Sequence, residues 1–200
     1  MSAVDWLGEL PPSTPLERGD AARNRVLLLD AARRLIAERG ADAVTMDDIA
    51  AAAGVGKGTL FRRFGSRAAL MVVVLDEDER ELQHRFLFGP PPLGPSAPPL
   101  DRLLAYGRER LKFVHRHGAV MTEAARDPHT RYNAVAELHR THLRVLLAAA
   151  GSTGNLGVQA DALLALLEPD YVEHQLGDAG QTLQTLGDAW ESLARKLCGR

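Results

Sequence analysis

The segment covering residues 45–64 constrains the fold of this chain more than any other part of its sequence. It opens with Thr45 and, three positions later, Asp48, which is the spacing of a capping box at a helix N-terminus. Gly54 follows where a helix commonly ends in the left-handed backbone conformation. An apolar and basic stretch from Lys57 to Phe64 comes directly after this turn. The segment therefore predicts two short helices joined by a tight turn, which is a helix-turn-helix.

The second helix of this pair carries two chemically different faces. At roughly 100° per residue, its apolar residues fall on one side, where they can pack on other helices: Leu60, Phe61 and Phe64. The other side carries small, hydroxyl and guanidinium groups: Gly58, Thr59, Arg62 and Arg63. Arginine pairs with guanine, and hydroxyl and basic groups bind phosphate, so this side is suited to DNA. The alternative interpretation is an ordinary solvated basic face.

A longer stretch resembles the N-terminal DNA-binding domain of TetR-family transcriptional regulators. It runs from Arg25 to Leu70 and contains, in order, DAARRLIAERG, VTMDDIAAAAGV, KGTLFRRF and SRAAL. The resemblance implies an all-α fold, with an N-terminal three-helix helix-turn-helix domain and a C-terminal helical domain for ligand binding and dimerisation. It also implies a homodimer that binds a double-stranded DNA operator, often under the control of a small-molecule effector, and no enzymatic activity.

The resemblance and the polar face of the second helix together predict the DNA-binding residues: Thr45, Lys57, Gly58, Thr59, Phe61, Arg62, Arg63 and Arg67. Two positions depart from the family pattern. Gly56 stands where a serine cap is common, and Phe61 stands where tyrosine is common. Each departure removes a hydroxyl that could contact phosphate, whereas Arg62 and Arg63 can supply positive charge. The operator sequence and the contact pattern are therefore left open.

Charge is divided unequally along the chain. Residues 18–67 hold ten Arg and Lys against six Asp and Glu, a balance of +4, and the remainder holds 14 against 20, a balance of −6, which gives the net −2. A basic head on an acidic body suits a protein that meets DNA at one end. A single cysteine, Cys198, excludes an internal disulfide. With no long apolar stretch and no signal-peptide pattern, a cytoplasmic location without membrane contact is expected.

Periodicity and composition predict three parts. Residues 1–20 are rich in proline and glycine and are expected to form a flexible N-terminal arm, residues 21–80 the helix-turn-helix domain, and residues 81–200 the C-terminal effector-binding and dimerisation domain. A proline-rich loop is predicted over residues 89–99. Helices are expected over 23–39, from 66 to about 88, and over 100–117, 119–126, 129–150, 156–168, 171–176 and 179–197.

The C-terminal domain contains candidate ligand-binding residues on the helices that surround a cavity in TetR-family proteins: Phe86, Tyr106, Phe113, Met121, Tyr132, His139 and His142. The two histidines could present polar groups to a ligand in a mostly apolar pocket. The alternative is that the aromatic residues are core and that the histidines are satisfied or exposed. His139 and His142 also have helical spacing for two metal ligands, but Cys198 is remote in sequence, so no metal and no cofactor is predicted.

The last predicted helix has a regular apolar seam. Its apolar residues recur at spacings of three and four, as at the a and d positions of a coiled coil: Leu183, Leu186, Trp190, Leu193 and Leu197. Such a seam could be intramolecular core or a subunit interface. In TetR-family proteins the last two helices commonly pair with those of a second subunit in a four-helix bundle. The expected dimer interface is therefore Leu163, Leu167, Leu183, Leu186, Trp190 and Leu193.

These features favour a ligand-responsive, homodimeric transcriptional regulator, a repressor that a small apolar effector releases from a palindromic operator. One alternative is a DNA-binding regulator without a small-molecule effector. Another is an all-helical enzyme or carrier whose N-terminal part only resembles the DNA-binding domain. Salt-sensitive duplex binding separates the first two hypotheses from the third. An effect of an apolar compound on DNA affinity separates the first from the second.

Overall fold

The described part of the chain folds entirely into helices, which confirms the predicted all-α class. The structure is a computed structural model that describes residues 15–41, 43–124 and 134–199. These ranges contain the helices α1 (Pro15–Arg39), α2 (Met46–Ala53), α3 (Lys57–Phe64), α4 (Arg67–Phe88), α5 (Pro99–Ala124), α6 (Ala134–Ala149), α7 (Leu156–Ala165), α8 (Pro169–Leu176) and α9 (Leu183–Leu197).

Two helices are longer than the sequence pattern indicates. Helix α1 begins at Pro15 rather than near residue 23, so it takes up part of the predicted arm. Proline is well accommodated in the first turn of a helix, where its missing N–H is not needed. The remaining arm, residues 1–14, lies outside the described residues. Helix α5 continues through Gly118 instead of ending before it, so the separate helix expected over 119–126 is wrong.

Two hydrophobic cores divide the molecule into a head (residues 15–74) and a body (residues 75–199). The head core joins α1, α2, α3 and the first turns of α4, through residues such as Leu28, Ile49, Leu60, Leu70 and Val74. The body core is built around α5, which packs against α4, α6, α8 and α9. Because α4 contributes to both cores, a displacement of this one helix reaches the head and the body together.

The close contact between α5 and α9 depends on Gly107. A Cβ atom at this position would stand 2.2 Å from Cε3 and Cζ3 of Trp190. The indole of Trp190 is 2% exposed, and its Nε1–H donates to the carbonyl oxygen of Leu163 at 2.9 Å. The absence of a side chain at residue 107 therefore leaves the space that the indole occupies.

The seam of α9 packs against α5 of the same chain. Leu163, Leu167 and Trp190 are buried within one chain. Their assignment to a subunit interface is therefore corrected, because a side chain buried in its own core offers no surface to a second copy. The regular pattern reflects intramolecular packing, which was the alternative interpretation of the seam.

The other residues expected at the interface keep part of their surface. Leu183, Leu186 and Leu193 are half-buried against the body core. Their participation in a dimer remains a prediction. Within the described ranges, the helices are all too short or too polar to span a bilayer.

Candidate DNA-binding surface and interior cavity

The turn between α2 and α3 has the geometry that the sequence indicates. The Thr45 hydroxyl oxygen accepts from the backbone N–H of Asp48 at 3.2 Å, and the backbone N–H of Thr45 donates to the Asp48 carboxylate at 3.0 Å. These hydrogen bonds form the predicted capping box. Gly54 ends α2 with φ at +65°, in the left-handed region that favours glycine. The position of α3 is thus set by local features of the sequence.

Helix α3 buries its apolar side and exposes its basic side. Leu60 is fully buried in the head core, whereas Lys57, Arg62 and Arg63 are exposed. Phe61 lies at the boundary, with 39% of its surface exposed. Gly58 is exposed and Thr59 half-buried, so the predicted polar face is open. The exposed face has no side chain at residue 58, which allows a backbone to approach closely.

Two of the α3 cations have only exposed partners among the residues that the structure describes. Lys57 Nζ lies 2.7 Å from Asp47 Oδ1 at the start of α2, and Arg62 Nη2 donates to Thr59 Oγ1 at 3.2 Å. Ion pairs and hydrogen bonds at exposed positions are weak because water and salt compete with them. Lys57 and Arg62 can therefore exchange these partners for phosphate oxygens or base edges at little cost.

Arg63, Arg67 and Thr45, also predicted to contact DNA, have structural partners in the head. Arg63 Nη1 donates to the carbonyl oxygen of Ala21 in α1 at 2.6 Å. Arg67 Nε donates to the carbonyl oxygen of Val44 at 2.8 Å, and its Nη2 donates to that of Ala41. The Thr45 hydroxyl donates to Asp48 Oδ2 at 2.5 Å. These three side chains hold α1, the loop before α2 and α4 in place. Their contact with DNA remains a prediction, and it would have to use polar groups that these hydrogen bonds leave free.

Three consecutive carboxylates on α4, the acidic triplet Glu77, Asp78 and Glu79, lie between the two cores. The first two face the head. Arg33 of α1 donates from Nη2 to Glu77 Oε2 at 3.1 Å and from Nε to Asp78 Oδ1 at 2.5 Å. His117 of α5 donates from Nε2 to the other Asp78 oxygen at 3.0 Å. A single carboxylate, Asp78, therefore bridges a head helix and a body helix.

The third carboxylate of the triplet faces the body. Glu79 accepts from Arg110 Nη1 of α5 and from His139 Nε2 of α6, each at 2.6 Å. The other ring nitrogen of His139, Nδ1, lies 2.8 Å from the Tyr106 hydroxyl. Because Nε2–H is committed to the carboxylate, Nδ1 is the acceptor and Tyr106 the donor. His139 therefore has protein partners on both nitrogens, which leaves neither for the metal alternative.

Charge and burial oppose each other at Glu79. Burial raises the pKa of its carboxyl group, but the hydrogen bond from His139 and the positive charge of Arg110 outweigh it and lower that pKa to about 2. Burial lowers the pKa of His139 even though Glu79 acts in the opposite direction. Near neutral pH the site therefore holds an ionised Glu79, a charged Arg110 and a neutral His139.

A cavity of about 440 Å³ lies beside this network, between α5, α6, α7 and the start of α8. We call it the body cavity. Its wall includes Arg110, Met121, His139, Arg140, Leu164 and Leu167. The volume is within the range of small-molecule sites in proteins.

The N-terminal part of the sequence matches a known family of proteins. Residues 28–74 fit the family model of bacterial regulatory proteins of the tetR family. Over residues 28–74 the chain is therefore similar to TetR-family regulators. The matched region contains the head core, the turn at Gly54 and the exposed face of α3, so the TetR-family match and the geometry concern the same surface.

Curated relatives are named as helix-turn-helix transcriptional regulators. The uncharacterized HTH-type transcriptional regulator Rv1255c of Mycobacterium tuberculosis is 31% identical over 120 residues, which are 60% of this chain and 54% of that protein. The HTH-type transcriptional regulator SACOL2593 of Staphylococcus aureus is 36% identical over 61 residues, which are 30% of this chain and 33% of that protein. The chain thus spans about half the length, or less, of these two relatives.

Solved structures of TetR-like proteins share the fold over most of the chain. A TetR-like transcriptional regulator from Rhodococcus sp. RHA1 has a TM-score of 0.58 at 21% identity and covers 88% of this chain and 97% of its own. NalD of Pseudomonas aeruginosa, the secondary repressor of the MexAB-OprM multidrug efflux pump, has a TM-score of 0.53 at 20% identity. The match covers 88% of this chain and 97% of NalD. A transcriptional regulator from Saccharomonospora viridis in complex with choline has a TM-score of 0.61 at 17% identity. The match covers 87% of this chain and 96% of that protein. At these identities the likeness establishes the TetR-like fold alone.

The ligand-binding residues predicted from the sequence separate into two groups. Met121 and His139 line the body cavity. The others that the structure describes are buried in the core beside it: Phe86, Tyr106, Phe113 and His142. Tyr132 lies outside the described residues. Arg110 is absent from the residues predicted from the sequence, yet it places a largely buried positive charge on the cavity wall. The available sequence signal for this role was its position on an otherwise apolar face of the helix.

His142 is an unusual member of the body core. It is 7% exposed, its ring centroid is 4.3 Å from that of Phe86, and Nε2 has no hydrogen-bond partner in the described part of the chain. Burial, together with the nearby Arg102 guanidinium and the imidazole of His139, lowers the pKa of His142 to about 4 from its ordinary 6.5. The folded protein therefore holds this imidazole neutral.

The lowered pKa of His142 predicts a loss of stability in mild acid. Below pH 6.5 the unfolded chain takes up a proton on this residue, whereas the folded chain does not until about pH 4. The free energy of unfolding should therefore fall as the pH drops through this window, by about 2 kcal/mol between pH 7 and pH 5 from this residue. Urea unfolding of His142→Leu should show a correspondingly flatter pH profile, whereas His115→Leu, at an exposed position, should retain the parent slope. Equal slopes for the parent and His142→Leu would contradict this assignment.

Proposed function

We propose that this chain is a homodimeric transcriptional regulator that binds a palindromic DNA operator through α3 and is released from it by a small molecule in the body cavity. The observation that carries the proposal is the exposed polar face of α3, fixed by the capping box at Thr45 and the turn at Gly54. A short helix with an apolar inner side and an outer side of Lys57, Gly58 and Arg62 has the groups that phosphates and base edges require.

Dimerisation accounts for a palindromic operator. Two heads on one body can read two half-sites about one turn of DNA apart, roughly 34 Å. The exposed face of α3 offers only three cations, so a single head gives limited affinity, and two linked heads multiply it. Leu183, Leu186 and Leu193 are the predicted interface residues that retain surface for a second copy. The proposed partner is therefore a second copy of this chain.

The acidic triplet offers a physical route from the body cavity to the head. Arg110 and His139 line the cavity and both bind Glu79. Asp78, the adjacent residue on α4, binds Arg33 of α1. A ligand that prefers one arrangement of Glu79 therefore also prefers one placement of α4 against the head, and by linkage it changes DNA affinity. Repression is the proposed sign of regulation.

The decisive experiment selects bound fragments from a random duplex pool and then measures affinity for the selected operator. We expect a palindromic sequence whose affinity falls steeply with salt. The absence of any preference over random duplex would refute operator binding and favour the enzyme or carrier alternative. Constant affinity across a panel of apolar compounds would instead favour a regulator without an effector.

Arg62→Ala is expected to weaken operator binding by about 10- to 100-fold, because each base or phosphate contact contributes about 1–3 kcal/mol. Arg62 is the cleaner test of the two α3 arginines, since Arg63 also ties α3 to α1. Fluorescence anisotropy with the selected operator measures the change, and thermal unfolding should match the parent. Arg144→Ala removes an exposed arginine from α6 in the body and provides the matched control. Equal affinity of the two variants would exclude Arg62 from the DNA interface.

A further inference from the structure

Arg110 stands out on the wall of the body cavity as a largely buried cation with unused donors. Its side chain is 12% exposed, and Nη1 binds Glu79 Oε2 at 2.6 Å. The face of the guanidinium lies over the ring of Phe113, 4.8 Å from its centroid. Among the described residues, Nε and Nη2 of Arg110 have no hydrogen-bond acceptor. Because these two nitrogens are not sealed from solvent and Arg110 lies on the cavity wall, they remain available to a group that enters the cavity.

A carboxylate is the group that best completes this arrangement. The guanidinium is planar, and its paired N–H donors match the two oxygens of a carboxylate. A partly dehydrated guanidinium holds such a group more strongly than a solvated one does. A neutral hydroxyl or carbonyl offers a single oxygen to the paired donors and brings no opposite charge.

The rest of the wall selects an apolar body with a single charged group. Met121, Leu164 and Leu167 supply apolar surface. Arg140, the other arginine of the wall, already has Asp161 at 2.6 Å and Glu137 at 2.8 Å. Glu168, also on the wall, is exposed and would repel a second anionic group. The wall therefore provides one site for an anion beside an apolar patch that can hold hydrocarbon.

We propose that the body cavity binds amphipathic monocarboxylates, with the carboxylate on Arg110 and the hydrocarbon against Met121, Leu164 and Leu167. This inference rests on the proposed function, because it names the chemical class of the effector. Glu79 and the ligand carboxylate share one guanidinium, so their mutual repulsion weakens the hold of Arg110 on Glu79. Glu79 adjoins Asp78, which binds α1, and this places the anion where it affects the link between body and head.

Calorimetric titration of the full chain without DNA tests the ligand class. Octanoate, octan-1-ol and octylamine share one hydrocarbon body and differ in the polar group, and each is used below its aggregation concentration. Octanoate should bind at least about tenfold more tightly than octan-1-ol, which corresponds to a hydrogen bond with a charged group. Octylamine should bind most weakly, because its cation would face Arg110. Equal affinities for octanoate and octan-1-ol would overturn the proposal.

Two conservative variants locate the carboxylate. Arg110→Lys keeps the charge but loses the paired donors, and it should reduce the preference for octanoate over octan-1-ol to about threefold or less. Arg140→Lys changes the other arginine of the same wall and should retain the parent preference. An unchanged preference in a folded Arg110→Lys protein would overturn the assignment. If that variant fails to fold, the comparison of ligands on the parent chain still decides.

Operator binding with and without octanoate separates this inference from the function on which it rests. Tight, Arg110-dependent octanoate binding supports the ligand class whether or not the chain selects an operator. Operator selection without any octanoate preference supports the regulator and overturns the ligand class.

Discussion

Gly107→Ala is expected to lower the free energy of unfolding by about 3 kcal/mol, which is the upper part of the range for overpacked cores. The added methyl group would stand 2.2 Å from two ring carbons of Trp190. The indole cannot turn away, because its Nε1–H is bound to the carbonyl oxygen of Leu163 inside the core. Relief therefore requires α5 and α9 to separate, which loosens packing along the central helix of the body. Urea unfolding followed by circular dichroism measures the loss.

Gly118→Ala on the same helix provides the matched control. Residue 118 is also inside α5, but no atom lies within 4 Å of a Cβ built there. Replacing a helical glycine with alanine in open space should raise the free energy of unfolding by about 0.5–1 kcal/mol. The free energy of unfolding is therefore expected to fall in Gly107→Ala and to rise in Gly118→Ala. A stable Gly107→Ala protein would mean that α5 and α9 do not approach as closely as the structure shows.

The helix-turn-helix could be predicted from sequence because its determinants are local. The capping box joins Thr45 to Asp48, and Gly54 ends the helix by its own backbone conformation. Each signal acts within a single turn of chain, so no knowledge of distant residues was needed. The start of α1 is the exception, because Pro15 and the polar residues after it give no clear apolar period.

The packing partner of the apolar face of α9 could not be predicted from the sequence in the same way. An a/d pattern identifies which side of a helix is apolar, but not which helix covers it. The missing information was the pairing of Trp190 with Gly107, residues that are far apart in sequence and close in the fold. A glycine inside the apolar stripe of α5 was the one available signal of a close approach.

The interior site depended even more on distant pairing. Glu77, Asp78 and Glu79 look like an ordinary solvated stretch of a charged helix in the sequence. Their partners come from α1, α5 and α6, and no sequence period connects those helices. His139 was selected as a ligand-facing residue, and it does line the cavity. Its hydrogen bonds to Glu79 and Tyr106 became visible only in the folded chain.

The two ends of the acidic triplet have different energetic roles. Glu77 and its partner Arg25 are both partly exposed, so their ion pair is expected to contribute little to stability. Glu79 and Arg110 are largely buried, and each would be an uncompensated charge without the other. The Arg25–Glu77 ion pair is therefore expected to contribute little to stability, whereas removal of either partner of the Glu79–Arg110 pair is expected to be strongly destabilising.

Glu79→Ala is accordingly expected to lower the free energy of unfolding by about 3–5 kcal/mol, the cost of leaving a buried charge without its partner. The substitution strands the Arg110 guanidinium and removes the acceptor of His139. Because the pKa of Glu79 is lowered to about 2, its stabilising contribution is present above about pH 4.5 and is lost as the pH falls toward 2. Urea unfolding at pH 7 should therefore show the full effect.

Two further variants separate charge from helix propensity. Glu81→Ala, at an exposed position of the same helix, should change the free energy of unfolding by no more than about 0.5 kcal/mol. Glu79→Leu combined with Arg110→Met removes both charges and should recover much of the stability lost in Glu79→Ala, because an apolar pair of similar size needs no compensation. If the double variant were less stable than Glu79→Ala, the stranded guanidinium could not be the cause of the loss. In that case the hydrogen bonds of Arg110 and Glu79 themselves, rather than the compensation of charge, would hold α4 to the body.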